Sequence, residues 1–145
     1  MLELDRFLPY LVNKLASRLS GELAGVYQRR FGITIPEWRV IAHLAEHRNV
    51  SVREIFLRVA MDKSKVSRAA ARLELSGFVE KNINEADRRL VELRLTAKGR
   101  AMFKAIEPLA LAYERQALSA LTPEEARLFR TLLGKLLNTR MTAQP

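Results

Sequence analysis

The sequence contains no cysteine among its 145 residues. Disulfide bonds, thiolate metal sites and thiol redox switches are therefore excluded. It also lacks an uninterrupted apolar run of about 18 residues, the length that indicates a membrane-spanning helix. The first ten residues, MLELDRFLPY, carry acidic side chains where a secretory signal carries basic ones. We therefore expect a cytoplasmic protein that has no membrane partner.

The sequence also lacks the patterns that would indicate an enzyme. It shows no glycine-rich phosphate-binding loop and no serine–histidine–aspartate arrangement. Its two histidines, His43 and His47, are four residues apart, so a helix could turn both toward one metal ion with a carboxylate such as Glu46. Two histidines on an ordinary helix are, however, more often unrelated. We predict no catalytic residues, no metal site and no cofactor.

What the sequence does contain is an excess of basic side chains, with a net charge of +9. Residues 51–100 carry 12 basic and 7 acidic side chains and so have a net charge of +5. Residues 1–50 and residues 101–145 each have a net charge of +2. A basic surface concentrated in the middle of a chain is typical of polyanion binding, although a basic balance can also serve solubility alone.

Signals for helix starts recur along the chain. Thr34–Glu37, Ser51–Glu54 and Thr122–Glu125 have the hydroxyl-x-x-Glu spacing of a capping box, in which both side chains satisfy backbone donors of the first turn. Asp62 and Thr96 are further N-cap candidates. Together with apolar residues at three- and four-residue steps, these signals predict helices over 4–29, 36–47, 52–59, 62–77, 97–119 and 123–138.

The periodicity changes between the fourth and fifth predicted helices. Apolar and charged residues alternate over 91–95, which indicates a strand with one buried face. Residues 78–83 are a plausible partner strand, and the polar stretch 84–89 would join the two as a β-hairpin with a charged tip. Pro108 is expected to bend the helix that follows.

This order of elements predicts a mainly helical fold with a small β-hairpin wing. Three compact helices followed by a hairpin form a winged helix-turn-helix DNA-binding domain, here over 33–100, with the helix at 62–77 in the major groove. Residues 1–32 and 101–145 form the flanking helices. Because their apolar stripes exceed what so small a domain could cover, we expect them to dimerise with a second copy of the chain.

The helix at 62–77 has two chemically different faces. One face is apolar and is expected to pack inward through Val66, Ala69, Ala70 and Leu73. The opposite face carries Ser64, Lys65, Arg68 and Arg72. Short hydroxyl side chains let a helix approach the groove closely, and guanidinium groups can bind guanine or phosphate in a forked geometry. The plainer interpretation is an ordinary amphipathic helix with a solvated basic face. The helix at 62–77 stands directly before a charged hairpin, however, and this position favours DNA binding.

The hairpin tip contains Asp87, Arg88 and Arg89. An arginine at the tip of a wing can enter the minor groove, where narrowing concentrates negative potential. Asp87 would then orient a guanidinium group through a charge-assisted hydrogen bond. The plainer interpretation is a solvated turn with an incidental ion pair.

At this point the motifs resemble those of a known family. MDKSKVSR at 61–68, RLE at 72–74, GFV at 77–79, DRR at 87–89 and the pattern Leu-Thr-x-Lys-Gly at 95–99 are similar, in combination, to the signature of the MarR family of regulators. The resemblance implies a homodimer whose first and last two helices intertwine. It also implies binding to a pseudo-palindromic double-stranded DNA operator, most often as a repressor.

The resemblance also implies roles for individual residues. The positions that match the major-groove readers of the family are Ser64, Lys65, Ser67 and Arg68. Arg89 matches its minor-groove arginine, and Asp87 matches the acid that braces the wing.

Family members commonly release DNA when a small molecule, often an aromatic acid, binds between the dimerisation helices and the DNA-binding domain. Such an effector pocket would draw on helical residues at about 8–20, 36–47 and 100–110. Arg18 is the candidate partner of an effector carboxylate, and Asn13, Trp38 and His43 are candidate lining residues. Each has a plainer interpretation as well: Trp38 as a core residue, His43 as a structural or surface histidine, and Arg18 as a surface charge.

Three other functions remain as alternatives: an enzyme, an architectural or RNA-binding winged helix without a sensor, and a winged helix that binds only proteins. Substrate turnover by the purified protein would indicate the first. Sequence-independent coverage in a footprint would indicate the second. DNA retention that is unchanged in Arg68→Ala and Arg89→Ala would indicate the third.

Overall fold

The computed structural model describes residues 1–89 and 91–139, and the predicted fold class is confirmed within them. A short 3-10 helix at Leu4–Arg6 precedes six α-helices and three β-strands in the described residues. The elements are α1 (Leu8–Phe31), α2 (Ile35–Glu46), β1 (Val50–Ser51), α3 (Val52–Arg58), α4 (Lys63–Leu75), β2 (Val79–Ile83), β3 (Val91–Leu95), α5 (Ala97–Ala117) and α6 (Pro123–Asn138).

The predicted bounds of five helices, α2 to α6, agree with the structure to within two residues at each end. The helix starts follow from the predicted capping chemistry. Thr34 and Thr122 each form both arms of a capping box, and the Ser51 and Asp62 side chains accept hydrogen bonds from the backbone three residues on. Thr96 Oγ1 accepts from the Gly99 N–H at 3.1 Å. Local sequence therefore determines where these helices begin.

The prediction of one continuous helix over 4–29 was wrong at its start. The 3-10 helix ends at Arg6, Phe7 is extended, and α1 begins only at Leu8. Pro9 explains the break, because its ring would crowd the carbonyl four residues earlier if the helix ran through from Leu4. At the other end α1 continues to Phe31 and is closed by Gly32, whose φ of 68° is left-handed.

The predicted hairpin is part of a three-stranded antiparallel sheet with the order β1-β3-β2. β2 and β3 pair in the register Val79↔Leu95 to Ile83↔Val91. The third strand, β1, was not predicted and pairs through Val50↔Leu93. A strand of two residues is too short to show an alternating pattern, and Ser51 was already assigned to a helix cap.

The described residues form two compact units, Met1–Ala110 and a second that begins at Leu111. The hydrophobic core of the first unit is built by α1 to α5 and the sheet, with Tyr27, Ile41, Ile55, Leu73, Leu93 and Ile106 among its fully buried side chains. The predicted inward face of α4 is confirmed, since all four of its apolar side chains are buried. The predicted domain bounds 1–32, 33–100 and 101–145 stay a prediction.

Exposed apolar side chains occur on helices of both units. On α1 they include Leu8, Leu11, Val12 and Leu15, and on α6 they include Leu128, Phe129, Leu132, Leu136 and Leu137. Pro108 lies inside α5, and the bend expected there stays a prediction. None of the described helices has the length and apolar character needed to cross a bilayer.

Candidate nucleic-acid interface

The exposed face of α4 begins at a tightly capped N-terminus. Asp62 Oδ1 accepts hydrogen bonds from the Lys65 N–H at 2.8 Å and from the Ser64 hydroxyl at 3.0 Å. These bonds, the backbone one first, hold the pKa of Asp62 below its usual value. The cap therefore stays ionised at neutral pH and fixes both the helix start and the Ser64 hydroxyl.

Five predicted site residues lie along this exposed side of α4. The four apolar residues of its other side anchor the helix in the core. Ser64, Lys65, Ser67, Arg68 and Arg72 are all exposed. The structure thus brings the predicted readers onto one accessible surface of a helix that cannot rotate without exposing its buried side.

Arg72 differs from the other four because its guanidinium group is already engaged. Its Nε donates to Glu37 Oε1 at 2.8 Å, and the Glu37 side chain is only 9% exposed. The second oxygen of Glu37 accepts from the Thr34 N–H at 3.2 Å, so one carboxylate caps α2 and holds α4. Sequence reasoning assigned Glu37 only to the cap and missed its contact with α4.

The C-terminal end of α4 is fixed by the start of α5. The Thr96 hydroxyl donates to the Gly77 carbonyl at 2.6 Å, and Lys98 Nζ donates to the Ser76 carbonyl at 2.8 Å. Lys98 Nζ also lies 4.5 Å from the centre of the Phe78 ring. These contacts give a physical reason for the Thr-x-Lys part of the family-like pattern: both side chains bind backbone carbonyls left over at the end of the helix.

Gly99 completes this anchorage by close approach of two backbones. A Cβ atom at this position would lie 2.1 Å from the Phe78 carbonyl oxygen. The same oxygen accepts the Thr96 N–H at 3.1 Å, so it is held in place. Only glycine fits where α5 passes the residue between α4 and β2.

The wing has far fewer fixed side chains than α4. Near its base Arg94 Nε of β3 donates to Glu80 Oε1 of β2 at 2.5 Å. At its tip Asp87 Oδ1 accepts from the Arg89 N–H at 3.1 Å and lies 3.9 Å from Arg89 Nε. The Arg89 side chain is 97% exposed, and Arg88 is exposed as well. Asp87 thus contacts the predicted minor-groove arginine within the tip itself.

The four predicted effector residues lie in different surroundings. Asn13 is exposed on α1, and Arg18 Nε donates to Glu22 on the same helix at 2.9 Å. The Trp38 ring stacks between the rings of Tyr27 and Phe103, with centroid distances of 5.3 and 5.9 Å.

The surroundings of Trp38 are those of a core residue. Burial raises the pKa of its neighbour Tyr27 to about 12, so that the phenol stays neutral at any physiological pH.

His43 lies with its ring centroid 4.8 Å from that of His47. Its Nε2 atom is buried and has no hydrogen-bond partner among the described residues. Burial, followed by the neighbouring His47 and Arg58, holds the pKa of His43 below its usual value. Across residues 1–89 and 91–139, no three histidine or acidic side chains are grouped so that they could hold a metal ion.

A surface cleft of about 520 Å³ opens in the first unit, between the end of α2 and the beginning of α5. Asn13, Arg18, Trp38 and His43 are not among its lining residues. Sequence reasoning expected contributions from α2 and α5 to a pocket but did not predict the residues that line this one.

Comparisons with known proteins agree with this arrangement. The sequence profile of the MarR family matches residues 31–90. The transcriptional repressor MdtR of Bacillus subtilis is 32% identical over 111 residues, which cover 77% of this chain and 72% of MdtR.

Solved structures show the same fold. A MarR/EmrR family regulator from Acinetobacter sp. ADP1 superposes with a TM-score of 0.86 at 31% identity, covering 94% of this chain and 96% of that one. BpsR of Bordetella bronchiseptica, whose DNA binding is regulated by 6-hydroxynicotinic acid, has a TM-score of 0.86 at 21% identity, with coverages of 97% and 99%. At 21% identity, the comparison with BpsR shows only that the two proteins share a fold. Because MdtR and the Acinetobacter regulator are each more than 30% identical to this chain over most of their own length, the chain belongs to the MarR family of transcriptional regulators.

Proposed function

We propose that the chain binds a two-fold symmetric DNA operator as a homodimer and represses transcription until a small molecule releases it. One observation carries the DNA-binding part. The exposed side of α4 presents hydroxyl and basic groups on a helix that is fixed at both ends, and the tip of the nearby wing carries the exposed side chains of Arg88 and Arg89. Such a pair of elements fits a major groove and the neighbouring minor groove.

Different residues are proposed for different parts of the contact. Ser64, Lys65, Ser67 and Arg68 face base edges and nearby phosphates in the major groove, as short hydroxyls and basic groups near a helix N-terminus can do. Arg72, whose side chain is about half exposed, contacts the DNA backbone while its Nε stays bound to Glu37. Asp87, Arg88 and Arg89 form the wing contact, with Arg89 in the minor groove.

Dimerisation is proposed from the exposed apolar side chains of α1 and, separately, those of α6. Leucine and phenylalanine side chains that cluster on an exposed helix face are removed from unfavourable contact with water when a partner covers that face. A second copy of the chain would cover the same faces on both subunits and would place two copies of α4 on opposite half-sites.

Release by a small molecule is proposed because DNA binding by BpsR, a protein of the same fold, is regulated by 6-hydroxynicotinic acid. Asn13, Arg18, Trp38 and His43 remain the proposed contacts of an aromatic acid. Arg18 would supply the positive charge, and the stacked Trp38 ring would supply apolar surface.

Selection of bound sequences from random double-stranded DNA, followed by footprinting, tests the proposal. We expect a short protected site with two-fold symmetry, and a dimer by sedimentation at low micromolar concentration. Coverage without sequence preference would indicate an architectural protein. A monomer would rule out the symmetric operator.

Matched variants identify the surface that binds. Arg68→Ala and Arg89→Ala should weaken binding, while Arg29→Ala removes the same charge from an exposed position at the end of α1 and should not. Equal behaviour of all three variants would contradict the proposed interface. Affinity should also fall steeply with salt concentration, because neutralised phosphates release their counterions.

A further inference from the structure

The cleft between α2 and α5 has a chemical character that the proposed effector residues do not explain. Part of its wall is apolar and comes from Leu44, Ala45, Leu95 and Phe103. Its volume of about 520 Å³ lies within the range of about 300–1,000 Å³ that is typical of small-molecule sites. The cleft can therefore hold a compact organic molecule against an apolar wall.

The rest of the wall is strongly basic. Arg48, Arg94, Arg100 and Lys104 line the cleft together with a single acid, Glu107, so the lining carries a net charge of +3. Clefts that concentrate one sign of charge attract small ions of the opposite sign.

Most of these cations have no carboxylate partner in the part of the chain that the structure describes. Arg100 Nη1 donates to the Leu95 carbonyl at 2.9 Å, which is a neutral acceptor. Within residues 1–89 and 91–139, Arg48 and Lys104 form no ion pair, and the one ion pair of the four cations joins Arg94 to Glu80. Three guanidinium or ammonium groups around one cleft are therefore available to an anionic ligand.

We propose that this cleft binds a small organic molecule that carries at least two negative charges together with an apolar group. A molecule with one carboxylate would leave two of the three available cations without a counter-charge. An inorganic dianion would leave the apolar wall next to Phe103 in water. The ligand class is thus an organic dianion, such as a dicarboxylate, a disulfonate or a phosphate ester with an apolar part.

The position of Arg94 connects the cleft to the wing. Its side chain lines the cleft while its Nε holds Glu80 on the neighbouring strand, and both side chains are about half exposed. Ion pairs with that much exposure contribute little to stability, because water screens both charges. An anion in the cleft can therefore compete with Glu80 for Arg94 and loosen the β2–β3 hairpin that carries Arg89. This regulatory step rests on the proposed function, whereas binding in the cleft does not.

Calorimetric titration of the full chain, without DNA, tests the binding step. The probes are 1,5-naphthalenedisulfonate and 1-naphthalenesulfonate, which share one apolar ring system and differ in charge. We expect the dianion to bind about tenfold more tightly, as one additional charge-assisted contact provides. Equal affinities of the two probes would overturn the proposal.

Variants then locate the site. Lys104→Ala should weaken binding of the disulfonate about tenfold, while Arg29→Ala, which removes an exposed charge outside the cleft, should leave it unchanged. Glu107→Gln should tighten binding, a gain that a misfolded variant could not produce. If Lys104→Ala and Arg29→Ala behave alike, or if Glu107→Gln does not tighten binding, the disulfonate binds elsewhere and the proposal fails.

DNA binding in the presence of the disulfonate tests the regulatory step. We expect the probe to lower the affinity of the unaltered chain for its selected operator severalfold, and to have no such effect on Lys104→Ala. An equal loss in both would attribute the effect to ionic strength and would overturn the link through Arg94. Failure to bind DNA without any probe would refute the proposed function alone, because the calorimetric result does not depend on it.

Discussion

The helix α4 and the tip of the wing are both proposed to touch DNA, yet they are held in very different ways. α4 is fixed by an ionised cap, by four buried side chains, by the Arg72–Glu37 pair and by two hydrogen bonds from α5. Among the described residues of the tip, 84–89, the contacts are short-range, of Asn84 with Ala86 and of Asp87 with Arg89, and both arginines are exposed.

If both elements bind DNA as proposed, the firmly held helix is suited to reading base edges and the loosely held tip to following the minor groove. Forked hydrogen bonds to base edges require side chains whose helix is already in place, because ordering it on binding would reduce the affinity gained. The minor groove presents a less distinctive pattern and is recognised largely by its width and potential, so a flexible arginine suffices there. We therefore expect substitutions that disturb the anchorage of α4 to have larger effects than substitutions at the tip.

The largest effect on the free energy of unfolding is expected from Gly99→Ala, which disturbs the contact between α5 and Phe78, just after α4. The new Cβ would lie 2.1 Å from the Phe78 carbonyl oxygen, and neither the backbone that bears this Cβ nor that of Phe78 can move aside cheaply. We expect the free energy of unfolding to fall by about 3 kcal/mol or more. Urea denaturation followed by circular dichroism measures it.

Gly21→Ala is the matched control for that substitution. Gly21 lies inside α1, and a Cβ there would have no atom within 4 Å. Alanine in a helix interior is favoured over glycine by about 0.5–1 kcal/mol, so this variant should be slightly more stable. If both variants kept full stability, the close approach of α5 to Phe78 would not constrain the fold.

The second effect concerns Arg72 and separates it from its neighbour Arg68. Arg72→Ala leaves the carboxylate of Glu37 buried without its cation, and we expect a loss of about 2 kcal/mol in the free energy of unfolding. Arg68 is exposed on the same helix, so Arg68→Ala should change it by less than about 0.5 kcal/mol. Similar losses in the two variants would mean that the contact with Glu37 does not stabilise α4.

Some of this anchorage could be predicted from sequence because its chemistry is local. Asp62 and the Lys65 N–H it binds are three residues apart, and the alternation over 91–95 is visible without any partner strand. The buried side of α4 also follows from helical periodicity alone. Local patterns therefore predicted helices α2 to α6, strands β2 and β3, and the buried side of α4.

The contacts that were missed join distant parts of the chain. Arg72 and Glu37 are 35 residues apart, and helical spacing could place Arg72 on the outer side of α4 but could not reveal the acid opposite it. The cleft brings residues around 44–49 next to residues 94–107, and no spacing rule connects these two segments. Pairing across such separations depends on how the helices pack, which a periodic pattern does not specify.

The third effect compares α4 and the tip on DNA itself. Arg68→Ala should weaken operator binding by about 1–3 kcal/mol and relax the preference for particular bases, as the loss of a base contact does. Arg89→Ala should weaken it by about 1 kcal/mol, keep the base preference of the major-groove half-site and make affinity less dependent on salt. Binding to operators with single-base changes, at two salt concentrations, distinguishes the two. If Arg68→Ala weakened all sequences equally, Arg68 would contact phosphate only.

The smallest effect concerns pH and reaches α4 through the helices that support it. α2 and α3 both pack against α4, and the buried Nε2 of His43 on α2 finds no hydrogen-bond partner within residues 1–89 and 91–139. Burial is the first cause of its lowered pKa, and the positive charge of Arg58 on α3 and the neighbouring His47 act in the same direction, while Glu46 and Glu54 oppose them.

The sign of the pH effect follows from that direction. The unfolded chain binds a proton at His43 near the ordinary pKa of about 6.5, whereas the folded chain binds it only at lower pH. The contribution of the neutral imidazole is therefore fully present above pH 6.5 and is lost as the pH falls from there through the lowered value. His43→Gln should flatten this part of the stability profile in urea titrations between pH 5 and 7.

Hydrogen exchange should show the acid-induced loss of protection in α4 before β2 and β3, because His43 lies among the helices that hold α4. Earlier loss in the two strands would mean that the wing, and not α4, depends on the state of this histidine.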